Sequence, residues 1–253
     1  MGWHEVLLSW AIFGFIGGTA VWSLGRFHQE GAKTGQVGGS LLLGERVRSW
    51  YVSFLDIIVE RCASWRVQPT HLSFAQLFLS AIVAVAIARG MLFTGGWLLL
   101  VTGTLDIIDG RLARRTNGAS LRGAFLDSVI DRYADSLGYV GLAVYFRDSW
   151  VLWLTLLAMI GSLMVSYTRA RAEGLGESCR VGLLQRPERY VILGFGCMFS
   201  VLLARMFAPF SELADNSLLI VVLFLLALLV NATAVQRALH VWRKLGGPRE
   251  QGN

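Results

Sequence analysis

Asp106, Asp109, Asp127 and Asp131 fall within the 26 residues DIIDGRLARRTNGASLRGAFLDSVID, set among apolar side chains. Charge at membrane depth is expensive, so ionisable residues in an apolar chain mark a functional site. Four carboxylates cannot share a small volume without counter-charge. A divalent cation supplies it, and an all-oxygen donor set favours a hard ion, Mg²⁺ or Mn²⁺. Such a site can neutralise a pyrophosphate and stabilise a leaving phosphate. A carboxylate that is free or loosely bound can take the proton of an attacking hydroxyl.

The spacing supports one shared site. Asp106 and Asp109 are three apart, and Asp127 and Asp131 are four apart, which places each pair on one helical face. A turn near Thr116-Asn117-Gly118 lets two antiparallel helices present both pairs to one pocket. Gly110 follows Asp109, and Gly123 lies four before Asp127. A helical glycine costs about 1 kcal/mol against alanine, so both positions point to close approach of a ligand or a backbone. The competing reading is a solvated polar face whose acids are balanced by Arg111, Arg114, Arg115, Arg122 and Arg132. The apolar surroundings and regular spacing weigh against it.

These acids need helices to hold them. The 253 residues are 55% hydrophobic and only 16% charged, against about 25% charged in soluble domains. The class is an all-α integral membrane protein. Apolar runs of about 20 residues, enough to span a bilayer, lie near 6–24, 72–93, 94–112, 121–146, 150–169, 188–208 and 216–236. The second and third are joined tightly near Thr94-Gly95-Gly96. Of the 23 Lys and Arg, all but Arg89, Arg147 and Arg205 fall at one set of helix ends. The positive-inside rule makes that side the cytoplasm. The acidic stretch, the loop 169–190 and the C-terminal tail then open to the cytoplasm of a multi-pass cell-membrane protein.

Residues 1–40 read as an N-terminal transmembrane helix and a polar linker; a signal peptide is disfavoured because no positive n-region precedes the apolar run. Residues 41–66 have the spacing of a juxtamembrane amphipathic helix. Residues 67–245 form the main membrane domain, and 246–253 a disordered tail. The net charge of +6 and pI near 9.6 follow from the positive-inside distribution rather than nucleic-acid binding. Cys62, Cys179 and Cys197 show neither metal nor redox spacing.

The stretch fits D-x2-D-G-x2-A-R-x8-G-x3-D-x3-D without a mismatch, through Asp106, Asp109, Gly110, Ala113, Arg114, Gly123, Asp127 and Asp131. It resembles the signature of the CDP-alcohol phosphotransferases, membrane enzymes of phospholipid synthesis. That resemblance implies a six-helix core, to which the N-terminal and amphipathic helices are additions. It also implies Asp106, Asp109 and Asp127 as metal ligands, and Asp131 as the base, itself beside the metal. Gly110 and Arg114 would hold the cytidine diphosphate end of the lipid donor, with Ser120 a further nucleotide contact. Pro69-Thr70-His71-Leu72 precedes the first core helix, where the family has a nucleotide-contacting Pro-Asn/Asp-x-x-Thr/Ser element. Here the proline and the Ser73 hydroxyl are kept and the second position is not. Members of the family are often homodimers.

For the acceptor, Arg169, Arg171, Arg186 and Arg189 gather on the acidic side, with Arg237 in the last helix. Guanidiniums match phosphate bidentately, which suits an anionic acceptor. The SYTRARAEG and RPER elements are similar to those of actinobacterial phosphatidylinositol-phosphate synthases and related archaeal enzymes. The resemblance places Arg169, Arg189 and Arg237 on the acceptor phosphate, with CDP-diacylglycerol as donor and inositol 1-phosphate as acceptor. Glycerol 3-phosphate is an alternative anionic acceptor. A cation transporter using the acids as its ion site is the alternative from another class; the absence of internal repeats and the acids' place at a helix end disfavour it.

Overall fold

The computed structural model describes residues 45–116, 120–179, 181–182, 184–207 and 216–246. These residues form seven helices and no strand: α1 (Glu45–Ser64), α2 (Pro69–Ala88), α3 (Leu92–Arg115), α4 (Leu121–Tyr145), α5 (Val151–Gly174), α6 (Arg186–Phe207) and α7 (Ser217–Gly246). The expected first membrane helix, the linker and the tail beyond Gly246 lie outside the described residues. The chain divides into two compact units, Met1–Arg61 and Cys62–Asn253. In the first, α1 is helical where the amphipathic pattern places a helix, with Glu45, Arg46, Arg48, Asp56 and Glu60 interspersed among apolar residues.

In the second unit, α2 packs on α3 and α4, α4 on α5, α5 on α7, α7 on α6, and α6 on α3. These principal contacts close a ring of six helices. Val83, Leu99, Leu142, Val165, Leu193, Leu223 and Val230 fill its apolar core. Outward faces stay apolar as well: Phe74, Phe78 and Val85 on α2, Trp153, Leu157, Ile160 and Met164 on α5, Val221, Phe224 and Leu228 on α7. A helix apolar all round belongs in lipid, and α2, α3, α5, α6 and α7 are each long and apolar enough to cross a membrane. The protein is a multi-pass membrane protein. α4 differs in composition: its 25 residues include Arg122, Asp127, Asp131, Arg132 and Asp135. At 1.5 Å per residue it still reaches about 37 Å, more than a bilayer's hydrocarbon core.

The join between the first two core helices is not at Thr94-Gly95-Gly96. It lies at Arg89–Met91, where Gly90 takes a φ of +78°, a conformation that suits glycine. Gly95 and Gly96 are instead buried inside α3. A Cβ at Gly96 would stand 2.5 Å from the Gly194 carbonyl oxygen and 2.7 Å from Met198 Cγ of α6. These glycines let two helices touch rather than letting the chain turn. α5 and α7 also run past their apolar stretches, to Gly174 and Gly246, with Arg171, Arg243 and Lys244 in their last turns. Cations there complement the helix dipole.

Candidate active site

α3 and α4 both pack on α2, and their acids converge beside it. Single carboxylate oxygens of Asp106, Asp109 and Asp127 all lie within 4.8 Å of one another. Asp109 is buried. α2 closes this group from the side: Ser73 Oγ is 3.2 Å from Asp109 Oδ2 and 3.2 Å from Asp127 Oδ1. A hydroxyl has one proton, so it donates to one carboxylate at a time and leaves the other short of a donor. Three converging carboxylate oxygens are an all-oxygen donor set that fits a hard divalent cation.

The second arrangement joins α4 to α6. Arg186 NH1 donates to Asp106 Oδ1 at 2.5 Å and reaches Asp131 Oδ2 at 2.6 Å. Its Nε donates to Asp135 Oδ1 at 2.8 Å, and its guanidinium lies 5.6 Å from the centre of the Tyr190 ring. Asp131 thus sits between the carboxylate cluster and an arginine. Its other oxygen, Oδ1, is buried without a hydrogen-bond partner. A buried carboxylate oxygen with no donor is a ready acceptor for a proton delivered by substrate.

Two residues of this arrangement take parts that the sequence does not announce. In the sequence Arg186 belongs to the arginine cluster that suits an anionic acceptor, and here it pairs with the aspartates instead. Asp135 extends the four-residue register of Asp127 and Asp131 by one more turn. That register was the signal that could have found it.

The expected nucleotide residues lie on the three helices that carry the acids and Ser73. Pro69 opens α2 as its first residue, Thr70 and Leu72 are half-buried, and His71 is exposed. Proline suits that position because its missing N–H is not needed there. A Cβ on Gly110 would meet no backbone; its nearest neighbour is the Arg114 guanidinium at 3.6 Å. No packing demand therefore explains this glycine, and its face is open beside Asp109 for a ligand. Gly123 has an internal reason instead. Ser120 is the N-cap of α4 and accepts the Gly123 N–H at 3.0 Å, where a Cβ would also crowd the Ser120 Oγ at 3.0 Å.

Two of the three expected acceptor arginines are anchored on the same turn of α5: Arg189 to the Ser162 carbonyl and Arg237 to the Val165 carbonyl. In detail the three are held differently. Arg189 is buried; its NH1 donates to the Ser162 carbonyl at 2.9 Å and its NH2 to Asp135 Oδ2 at 3.3 Å. Arg237 donates through Nε to Val181 O at 2.7 Å and through NH1 to Val165 O at 2.8 Å. Arg169 is exposed and pairs with Glu173 at 2.9 Å. Glu188, between the two RPER arginines, accepts the Gln185 N–H at 2.8 Å and so caps the start of α6.

A membrane-embedded helix ring with converging carboxylates on two facing helices defines a class of metal-dependent lipid enzyme, and comparison with known proteins gives the family. The CDP-alcohol phosphatidyltransferase profile matches residues 66–245. The chain belongs to that family and is a CDP-alcohol phosphatidyltransferase. It is 33% identical over 192 residues to the archaetidylinositol phosphate synthase of Methanothermobacter thermautotrophicus, covering 76% of this chain and 90% of that one. Among solved structures it resembles Mycobacterium tuberculosis phosphatidylinositol phosphate synthase with CDP-DAG bound: TM-score 0.65, 27% identity, 79% of this chain and 97% of that one. The same enzyme in complex with manganese and citrate matches with a TM-score of 0.65 and 27% identity over 79% of this chain and 92% of that one. Together with the carboxylate cluster, this makes the site one for a divalent metal.

Proposed function

We propose that this enzyme transfers a phosphatidyl group from CDP-diacylglycerol to inositol 1-phosphate and releases CMP. The observation that carries the acceptor is the ion-paired contact between the acids of α4 and the arginines of α6. Arg189 is one of those arginines, and with Arg169 and Arg237 it makes up the phosphate-binding cluster of this reading. Phosphatidylinositol and archaetidylinositol phosphate synthases among its relatives support the same reading.

Asp106, Asp109 and Asp127 would hold Mg²⁺ or Mn²⁺, with Asp131 beside it, and the cation so held would supply charge neutralisation for the pyrophosphate and the departing CMP. Gly110 lets the diphosphate approach α3 closely, and Arg114 adds charge at its rim. Pro69, Thr70, His71, Leu72 and Ser120 border the nucleotide. Asp131 takes the proton of the attacking inositol hydroxyl. The hydroxyl oxygen bonds to the phosphatidyl phosphorus, and the bond from that phosphorus to the bridging oxygen breaks, its electron pair leaving with CMP. The basic helix ends put this chemistry at the cytoplasmic face of the cell membrane, with the lipid tails between helices. The working unit is a homodimer.

CMP release by purified protein tests the proposal, with CDP-diacylglycerol, Mg²⁺ and inositol 1-phosphate, free inositol, glycerol 3-phosphate or serine in parallel. Release with inositol 1-phosphate alone is expected. Release with glycerol 3-phosphate alone would overturn the acceptor and keep the donor chemistry.

A further inference from the structure

Asp135 lies outside the family signature and outside the three-carboxylate group, yet it is the residue through which the two halves of the site are joined. Its side chain is 8% exposed and bridges two guanidiniums, Arg186 Nε at 2.8 Å and Arg189 NH2 at 3.3 Å. Both arginines start α6, three residues apart, and two cations so close need a shared anion to stay buried. A carboxylate taking both of its oxygens to different guanidiniums also fixes their directions. Engaging Arg186 through Nε turns its NH1 toward Asp131 and Asp106. Engaging Arg189 through NH2, while Ser162 O holds NH1, sets the plane of that guanidinium.

We infer that Asp135 is the positioning residue that sets Arg189, the acceptor-phosphate arginine it holds, in register with the base through Arg186, and thereby fixes the distance between a bound acceptor's phosphate and the base. This rests on the acceptor reading above. Asp135 touches no reacting atom; it acts through Arg189 and Arg186. An asparagine there would keep the shape but remove the charge and turn an amide N–H₂ toward a cation. The donor end, at Gly110, Arg114 and the α2 N-terminus, shares no contact with Asp135 among the described bonds.

The test is steady-state CMP release by wild type, Asp135→Asn and Asp135→Glu, with KM for inositol 1-phosphate and for CDP-diacylglycerol measured separately, alongside calorimetric binding of inositol 1-phosphate. For the asparagine variant the acceptor KM should rise about tenfold or more, the loss of about one strong contact, while the donor KM changes less than about twofold. The glutamate variant, whose charge sits one methylene out of place, should fall between wild type and asparagine. Equal rises in both KM values, or an acceptor KM as in wild type, would overturn the assignment. Should the asparagine variant not fold, a glutamate variant with both KM values as in wild type would overturn it as well. Wild type that neither binds nor uses inositol 1-phosphate would overturn the acceptor reading and this inference together. Wild type that does both, beside variants without the split, overturns only the role of Asp135.

Discussion

The acids of α3 and α4 and the arginines of α5, α6 and α7 are built on opposite plans, and α6 is where the two groups touch. The three cluster carboxylates converge on each other; Asp109 and Asp127 share a single hydroxyl and Asp106 accepts from Arg186, so they hold more acceptor capacity than the chain fills. The two buried arginines of the acceptor group are largely committed: Arg189 to Ser162 O and Asp135, Arg237 to Val181 O and Val165 O. An under-satisfied acidic group is suited to recruiting a cation. Guanidiniums already anchored by backbone carbonyls are suited to recognising an anion without reorganising, which lowers the entropic cost of binding. Under the proposed function, turnover falls to the acids and acceptor affinity to the arginines.

Chelation is the strongest way to break that division. Activity should be abolished by EDTA and restored by Mg²⁺ or Mn²⁺; full turnover in chelator would remove the cation from the acids' role. Next, Asp131→Asn should lower kcat by about 10³-fold, within the range general-base removal gives, with CDP-lipid binding retained. Normal turnover in that variant would end the base assignment. Arg189→Ala should raise the acceptor KM by about ten- to a hundredfold, as expected for an anchored charge contact, with little change in donor KM. Equal effects on both would move it out of the acceptor group. Ser73→Ala sharpens the acidic side: by removing the hydroxyl shared by Asp109 and Asp127, it should weaken metal affinity about tenfold, at the low end for residues that orient metal ligands. Titration of activity against Mn²⁺ would read it. Smallest of all, Ser120→Ala should lower stability by about 1 kcal/mol through the lost cap, read as a drop in Tm of detergent-solubilised protein.

The same division explains what could be read from the chain. The aspartates were legible because their geometry is local: spacings of three and four residues on two helices fix a face before any packing is known. Hydropathy marks six apolar runs between residues 72 and 236, and among the described residues a helix covers each of them. Which arginine turns inward is not local. Arg186 and Arg189 belong to a loop rich in arginine, and the choice of Arg186 as partner of Asp106 and Asp131 depends on where α6 settles against α3. The glycine pair at 95–96 reads as a turn in one dimension and is a helix contact in three. Ser120 and Gly123 carried a binding signal that also has a plain capping explanation.

Gly96 and Gly103 lie seven residues apart on α3, the first against the Gly194 carbonyl and the second against the Tyr190 ring. Together they make a smooth rail on which α6 rides. From Gly194 to Arg186 is eight residues, about 12 Å of rigid helix. A methyl group added at Gly96 would act as a wedge at the far end of that lever. Its effect would surface as a misplaced guanidinium at the aspartates, so that the gauge of the rail, deep in the bilayer, sets the aim of a charge at its surface.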